Sequence, residues 1–107
     1  LENISLSDSV YKIGTRAFFG CENLKNIHLP NSIKHINDEA FLLSGLNTIH
    51  IGENIESMGR DVFKDVPLEK IRCGRKINPE LKKFIEENYI KMVFDTSTKL
   101  TTFLNNI

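Results

Sequence analysis

Every 22 or 23 residues the chain repeats itself. Leu1, Leu24, Leu46 and Leu68 recur at spacings of 23, 22 and 22. In the same register fall Ile4, Ile27, Ile49 and Ile71, then Leu6, Leu29, Ile51 and Cys73, then Val10, Ile33, Ile55 and Ile77. Three units continue with Ile13, Ile36 and Met58, and with the pairs Ala17-Phe18, Ala40-Phe41 and Val62-Phe63. Apolar columns that recur together at a fixed period mark stacked units, none of which can bury its apolar side alone. At 107 residues there is room for one such stack and little room for a second core.

Each unit has a physical sense. Its Leu-x-x-Ile-x-Leu segment ends in the period-2 alternation of a short strand with one buried face. A polar turn follows: Ser7-Asp8-Ser9, Pro30-Asn31-Ser32, Gly52-Glu53-Asn54. Pro30 has no amide hydrogen to donate and suits a strand end. A second extended piece comes next, with Val10 and Ile13 inward in the first unit. The column Gly14, Asn37, Gly59 is expected in the left-handed backbone region, which Gly and Asn tolerate best. The Ala-Phe or Val-Phe pair then sits in a tight helical or 3₁₀ turn. The Phe rings stack as a ladder, and the small neighbour makes room. The strands are expected to pair in parallel at about 4.8 Å per step, leaving one sheet face in water.

The stretch Ile13-Gly14-x-x-Ala17-Phe18-x-x-Cys21-x-x-Leu24-x-x-Ile27-x-Leu29-Pro30-x-Ser32-Ile33-x-x-Ile36 resembles the BspA-type (Treponema-type) leucine-rich repeat. The resemblance covers roughly residues 1–94. Asn37 stands for the Gly of the pattern, Ser44 and Val66 for the Cys, Gly52 and Gly74 for the Pro, and Ser7 also stands where Pro is usual. The resemblance implies a leucine-rich repeat solenoid, a β-rich α/β superhelix of about four stacked repeats. It also implies non-catalytic interaction modules of secreted or cell-surface proteins.

The fourth unit breaks pattern after Ile77, which ends the repeats at 1–77. Asn78-Pro79-Glu80 is a helix start: Asn at the N-cap, Pro at the first position, an acid in the first turn. Leu81, Phe84, Ile85 and Tyr89 share one face, with Lys82–Glu86 and Lys83–Glu87 outside. Ile90-Lys91-Met92-Val93-Phe94 is a short strand. Residues 78–94 are thus expected to cap the open end of the array with a helix and a strand. Residues 95–107 form a tail in which Leu100, Phe103, Leu104 and Ile107 follow helical spacing. Two readings stay open for it, a short element docked on the cap and a peptide that packs on another chain.

Composition narrows the partners. Fourteen basic and fourteen acidic side chains give a formal net charge of +0. Nucleic acid and anionic membrane both demand clustered positive charge, so neither is the expected main partner. No apolar run approaches the roughly 20 residues of a membrane span, so no membrane insertion is expected. Two cysteines are too few for a disulfide scaffold. Cys73 falls in a core column and Cys21 at the end of the first unit, too far apart in the stack for a bond. No phosphate-binding loop, dinucleotide fingerprint or zinc-protease motif has structural support, and no enzyme is expected.

Candidate residues lie on the water-facing side of the strands. The column Ser5, His28, His50, Arg72 runs beside Asn3, Asn26, Thr48, Lys70. Lys25 and Asn47 precede their strands. In register, His28 and His50 are one strand apart, close enough to share a metal or titrate together. A zinc site needs three or four ligands, and this column supplies no third, so neither metal nor cofactor is expected. A solvated ladder and a surface contacting protein or glycan are the remaining alternatives. The partner-binding candidates are Asn3, Ser5, Lys25, Asn26, His28, Asn47, His50, Lys70 and Arg72. His35 is expected at the surface.

The chain begins at Leu1 and carries no signal-peptide pattern. The expectation is the C-terminal end of a longer secreted or surface array, an adhesin-like module binding through its exposed sheet face. A spacer or cap whose activity resides in another domain is the alternative. The first unit has no predecessor, so Leu1, Ile4, Val10 and Phe18 are expected to be exposed and to promote self-association.

Overall fold

The computed structural model describes residues 3–74, 76–88 and 90–94. Leu1, Tyr89 and the tail 95–107 lie outside them. In chain order the elements are β1 (Asn3–Ser5), β2 (Lys12–Ile13), β3 (Asn26–His28), β4 (His35–Ile36), β5 (Thr48–Ile51), β6 (Ser57–Met58), β7 (Lys70–Cys73), α1 (Pro79–Glu87) and β8 (Lys91–Phe94). They wind into a solenoid of about four turns. One parallel sheet runs β1-β3-β5-β7-β8 and a second runs β2-β4-β6. The register is the one the columns dictate: Ile4 faces Ile27, Ile27 faces Ile49, and Ile49 faces Ile71. β8 follows β7 in the same parallel sense, Met92 beside Ile71, so the terminal strand is a fifth rung of the ladder.

Alternation sets the two faces. Ile27, Leu29, Ile49, Ile51, Ile71 and Cys73 are buried, while the residues between them face outward. Each fully buried aliphatic side chain contributes roughly 1.5–3 kcal/mol relative to an exposed one. Behind this layer the expected Phe ladder is present. Phe18 and Phe41 stack with centroids 5.2 Å apart and planes 2° apart; Phe41 and Phe63 are 5.6 Å and 7° apart. Ala40 and Val62, beside two of these rings, are buried.

The turns that carry the rings are built differently from the expected helical or 3₁₀ turn. They are successive β-turns: Ala17 N–H donates to Gly14 O, Phe19 to Arg16, and Cys21 to Phe18. Their left-handed positions are also not those expected. Positive φ falls two residues later than the Gly14 column, at Arg16, Glu39 and Asp61, and again at Gly20, Leu43 and Asp65. The physical reason is the ladder. Arg16, Phe18 and Gly20 donate to Asp38, Ala40 and Leu42 of the next unit, and Glu39, Phe41 and Leu43 donate to Arg60, Val62 and Lys64. Aiming every second amide at the same neighbour requires the third residue of each turn to flip its backbone. Gly59 is explained by close approach instead, since a Cβ there would run into the backbone of Asn37 and Asp38.

In the fourth unit, α1 stands in the place of the turn. Asn78 caps it as expected, its Oδ1 accepting from Glu80 N–H (2.8 Å) and Leu81 N–H (3.3 Å). The same side chain donates through Nδ2 to Ile55 O at 3.4 Å, which ties the cap to the preceding unit. Leu81 and Ile85 are buried, and Phe84 packs half-buried against the core. Lys83 pairs with Glu87 at 3.8 Å. Both cysteines are free; Cys21 is exposed and Cys73 buried. Ser44, in the Cys21 column, is 3% exposed, and its Oγ has no hydrogen-bond partner among the described residues.

Candidate interaction surface

Parallel strands in exact register place equivalent residues side by side, one strand spacing apart. Ser5 thus faces His28, His28 faces His50, and His50 faces Arg72. Beside this row, Asn3 pairs with Asn26, Asn26 with Thr48, and Thr48 with Lys70. The two imidazoles stack with centroids 4.1 Å apart and planes 10° apart. His28 is exposed, while His50 and Arg72 are half-buried between their neighbours. A shallow depression of about 400 Å³ runs over Ser5, Asn26, His28, Thr48, His50 and Arg72. A second, about 710 Å³, lies at the strand ends beside Asp8, His28, Asn31 and His50.

The remaining candidates extend this surface at its entry side. Lys25 is exposed, and its Nζ donates to Glu22 O at 3.1 Å. Asn47 is exposed too; its N–H donates to Lys25 O (2.9 Å), and its carbonyl accepts from Glu69 N–H (2.8 Å). Thr48 belongs with the candidates, since register seats it between Asn26 and Lys70. His35 lies off this surface, in the second sheet, where Nδ1 meets Ser57 Oγ at 2.8 Å. Among the described residues no group of three or more His, Cys, Asp or Glu is placed to hold a metal.

Charge is divided between the faces. On the turns and the helix, bases meet acids: Arg16–Glu39 at 2.9 Å, Lys34–Glu56 and Arg60–Asp38 at 3.9 Å, and Lys83–Glu87 at 3.8 Å. On the sheet face, neither Lys70 nor Arg72 has an ion-pair partner among the described residues. A third hollow, about 610 Å³, lies between the third turn and α1, lined by Phe63, Lys64, Asp65, Glu80 and Phe84. No helix among the described residues is long and apolar enough to cross a membrane.

Comparison with curated proteins and with solved structures gives no match. The family model described as BspA type leucine rich repeat region (6 copies) matches residues 1–106. Repeats of this kind are commonly protein-interaction and surface modules. The register, the Phe ladder and the match over nearly the whole length agree, and the chain belongs to the BspA-type leucine-rich repeat family.

Proposed function

We propose that this chain is a non-catalytic protein-interaction module of a secreted or cell-surface protein, adhesin-like, at the C-terminal end of a longer repeat array. It engages its partner through the sheet face formed by Asn3, Ser5, Lys25, Asn26, His28, Asn47, His50, Lys70 and Arg72. The observation that carries this is the aligned row Ser5, His28, His50, Arg72, with its imidazoles stacked at 4.1 Å. Such a row presents polar groups at fixed spacing on a hydrogen-bonded platform, so little ordering entropy opposes binding. Segment 78–94 serves as the cap of the array, a role supported by the seating of Phe84 against Phe63.

The test replaces His28, His50 and Arg72 together by Ala and measures binding of the protein to host cells and matrix, with circular dichroism as the check on folding. Loss of binding with an intact fold supports the face. Unchanged binding discards it and favours a spacer whose activity resides in another domain.

A further inference from the structure

The sheet face is unlike the rest of the molecule in charge. The chain as a whole is neutral, with formal net charge +0. Four bases on the turns and the helix have carboxylate partners within 4 Å. The two outward rows of the sheet read Asn3-Asn26-Thr48-Lys70 and Ser5-His28-His50-Arg72, without an acid in either. Their fixed cations, Lys70 and Arg72, both sit on β7 and have no carboxylate partner among the described residues. Acids stand at the margins: Asp8 in the turn after β1, Glu53 after β5, and Glu69 before β7.

We propose that the partner seated on this face is an acidic polypeptide segment, with a carboxylate forked by Arg72 and its neighbouring peptide groups on Asn26 and Thr48. This rests on the sheet face being the binding surface. Arg presents a planar fork that matches a carboxylate in two parallel hydrogen bonds. Asn offers both a donor and an acceptor, as a peptide group does, so Asn26 suits backbone recognition. The cations are too sparse for a densely sulfated glycan, which needs many clustered positive charges along its length, as nucleic acid does. A polypeptide with an occasional Asp or Glu matches two cations at one end of a polar row.

The experiment uses the full chain and three labelled probes: a peptide of alternating Glu and Ser, the same peptide with Gln for Glu, and a sulfated oligosaccharide. Binding is read by fluorescence anisotropy at low and physiological salt. The Glu peptide is expected to bind about tenfold more tightly than the Gln peptide, and R72E is expected to weaken it about tenfold. K64E, on the turn side, is expected to leave it unchanged. R72Q covers the case in which R72E does not fold. Equal binding of the two peptides, indifference to both Arg72 variants, or tighter binding of the oligosaccharide overturns the proposal. The two readings fail separately. If the triple Ala variant loses cell and matrix binding but the Glu peptide does not compete for it, the face stands and the acidic partner falls. If the triple variant keeps that binding, both fall.

Discussion

The ring of Phe84, on a helix, lies 5.4 Å from the ring of Phe63, on a turn, with planes 37° apart. The stack begun by Phe18, Phe41 and Phe63 therefore continues into an element of different backbone geometry. The tilt marks where turn gives way to helix.

Truncating the ladder should cost stability according to burial. Phe41 is fully buried between two rings, and Phe41→Ala is expected to cost about 4 kcal/mol. Phe84 is half-buried with one ring partner, and Phe84→Ala is expected to cost about 2 kcal/mol. Urea unfolding of the two variants checks both the sizes and their order.

Leu43 sits at φ 60°, in a column whose first member is Gly20 at φ 69°. Its side chain is 46% exposed, so little packing compensates the left-handed backbone. Leu43→Gly is expected to stabilise the protein by about 1 kcal/mol, because Gly adopts that conformation without the Cβ clash. A lower thermal midpoint than wild type would refute the strain.

Ser44 buries a hydroxyl without a partner among the described residues. Ser44→Ala removes an unsatisfied polar group at nearly constant volume and is expected to stabilise by about 1 kcal/mol. Ser44→Val, which carries the residue of the Val66 position, distinguishes desolvation from crowding. Denaturant midpoints of the two variants make the comparison.

At the first rung, Ile4, Val10 and Phe18 are only half-buried, and Tyr11 and Phe19 are 58% and 46% exposed. A surface of this kind favours association through it. Light scattering across a concentration series is expected to show self-association, reduced when Tyr11 and Phe19 are both replaced by Ser. A monomer at every concentration would count against it.

The columns made much of this legible. Apolar residues at one period dictate which residues share a rung, and register then places His28 against His50 without further information. Phe18, Phe41 and Phe63 were legible for the same reason. The left-handed sites were not. Composition pointed to Gly14 and Asn37, whereas the amide pattern between units puts the flip at Arg16 and Glu39, residues with no intrinsic preference for it. Phe84 was legible as a core residue of an amphipathic helix but not as a ladder member. Its spacing of 21 from Phe63 was the available signal. The charge division was hidden as well, because neutrality of the whole chain says nothing of how the signs are sorted by folding.

The amides of Arg16, Phe18 and Gly20 all reach across to the next unit, as do those of the strands. An α-helix holds its bonds within itself, whereas here the fastenings run between neighbours along the stacking direction. Force applied between the two termini therefore bears on one junction at a time. A tether of this construction lengthens by peeling, coil after coil, and so dissipates a pull that would break a rigid link at once.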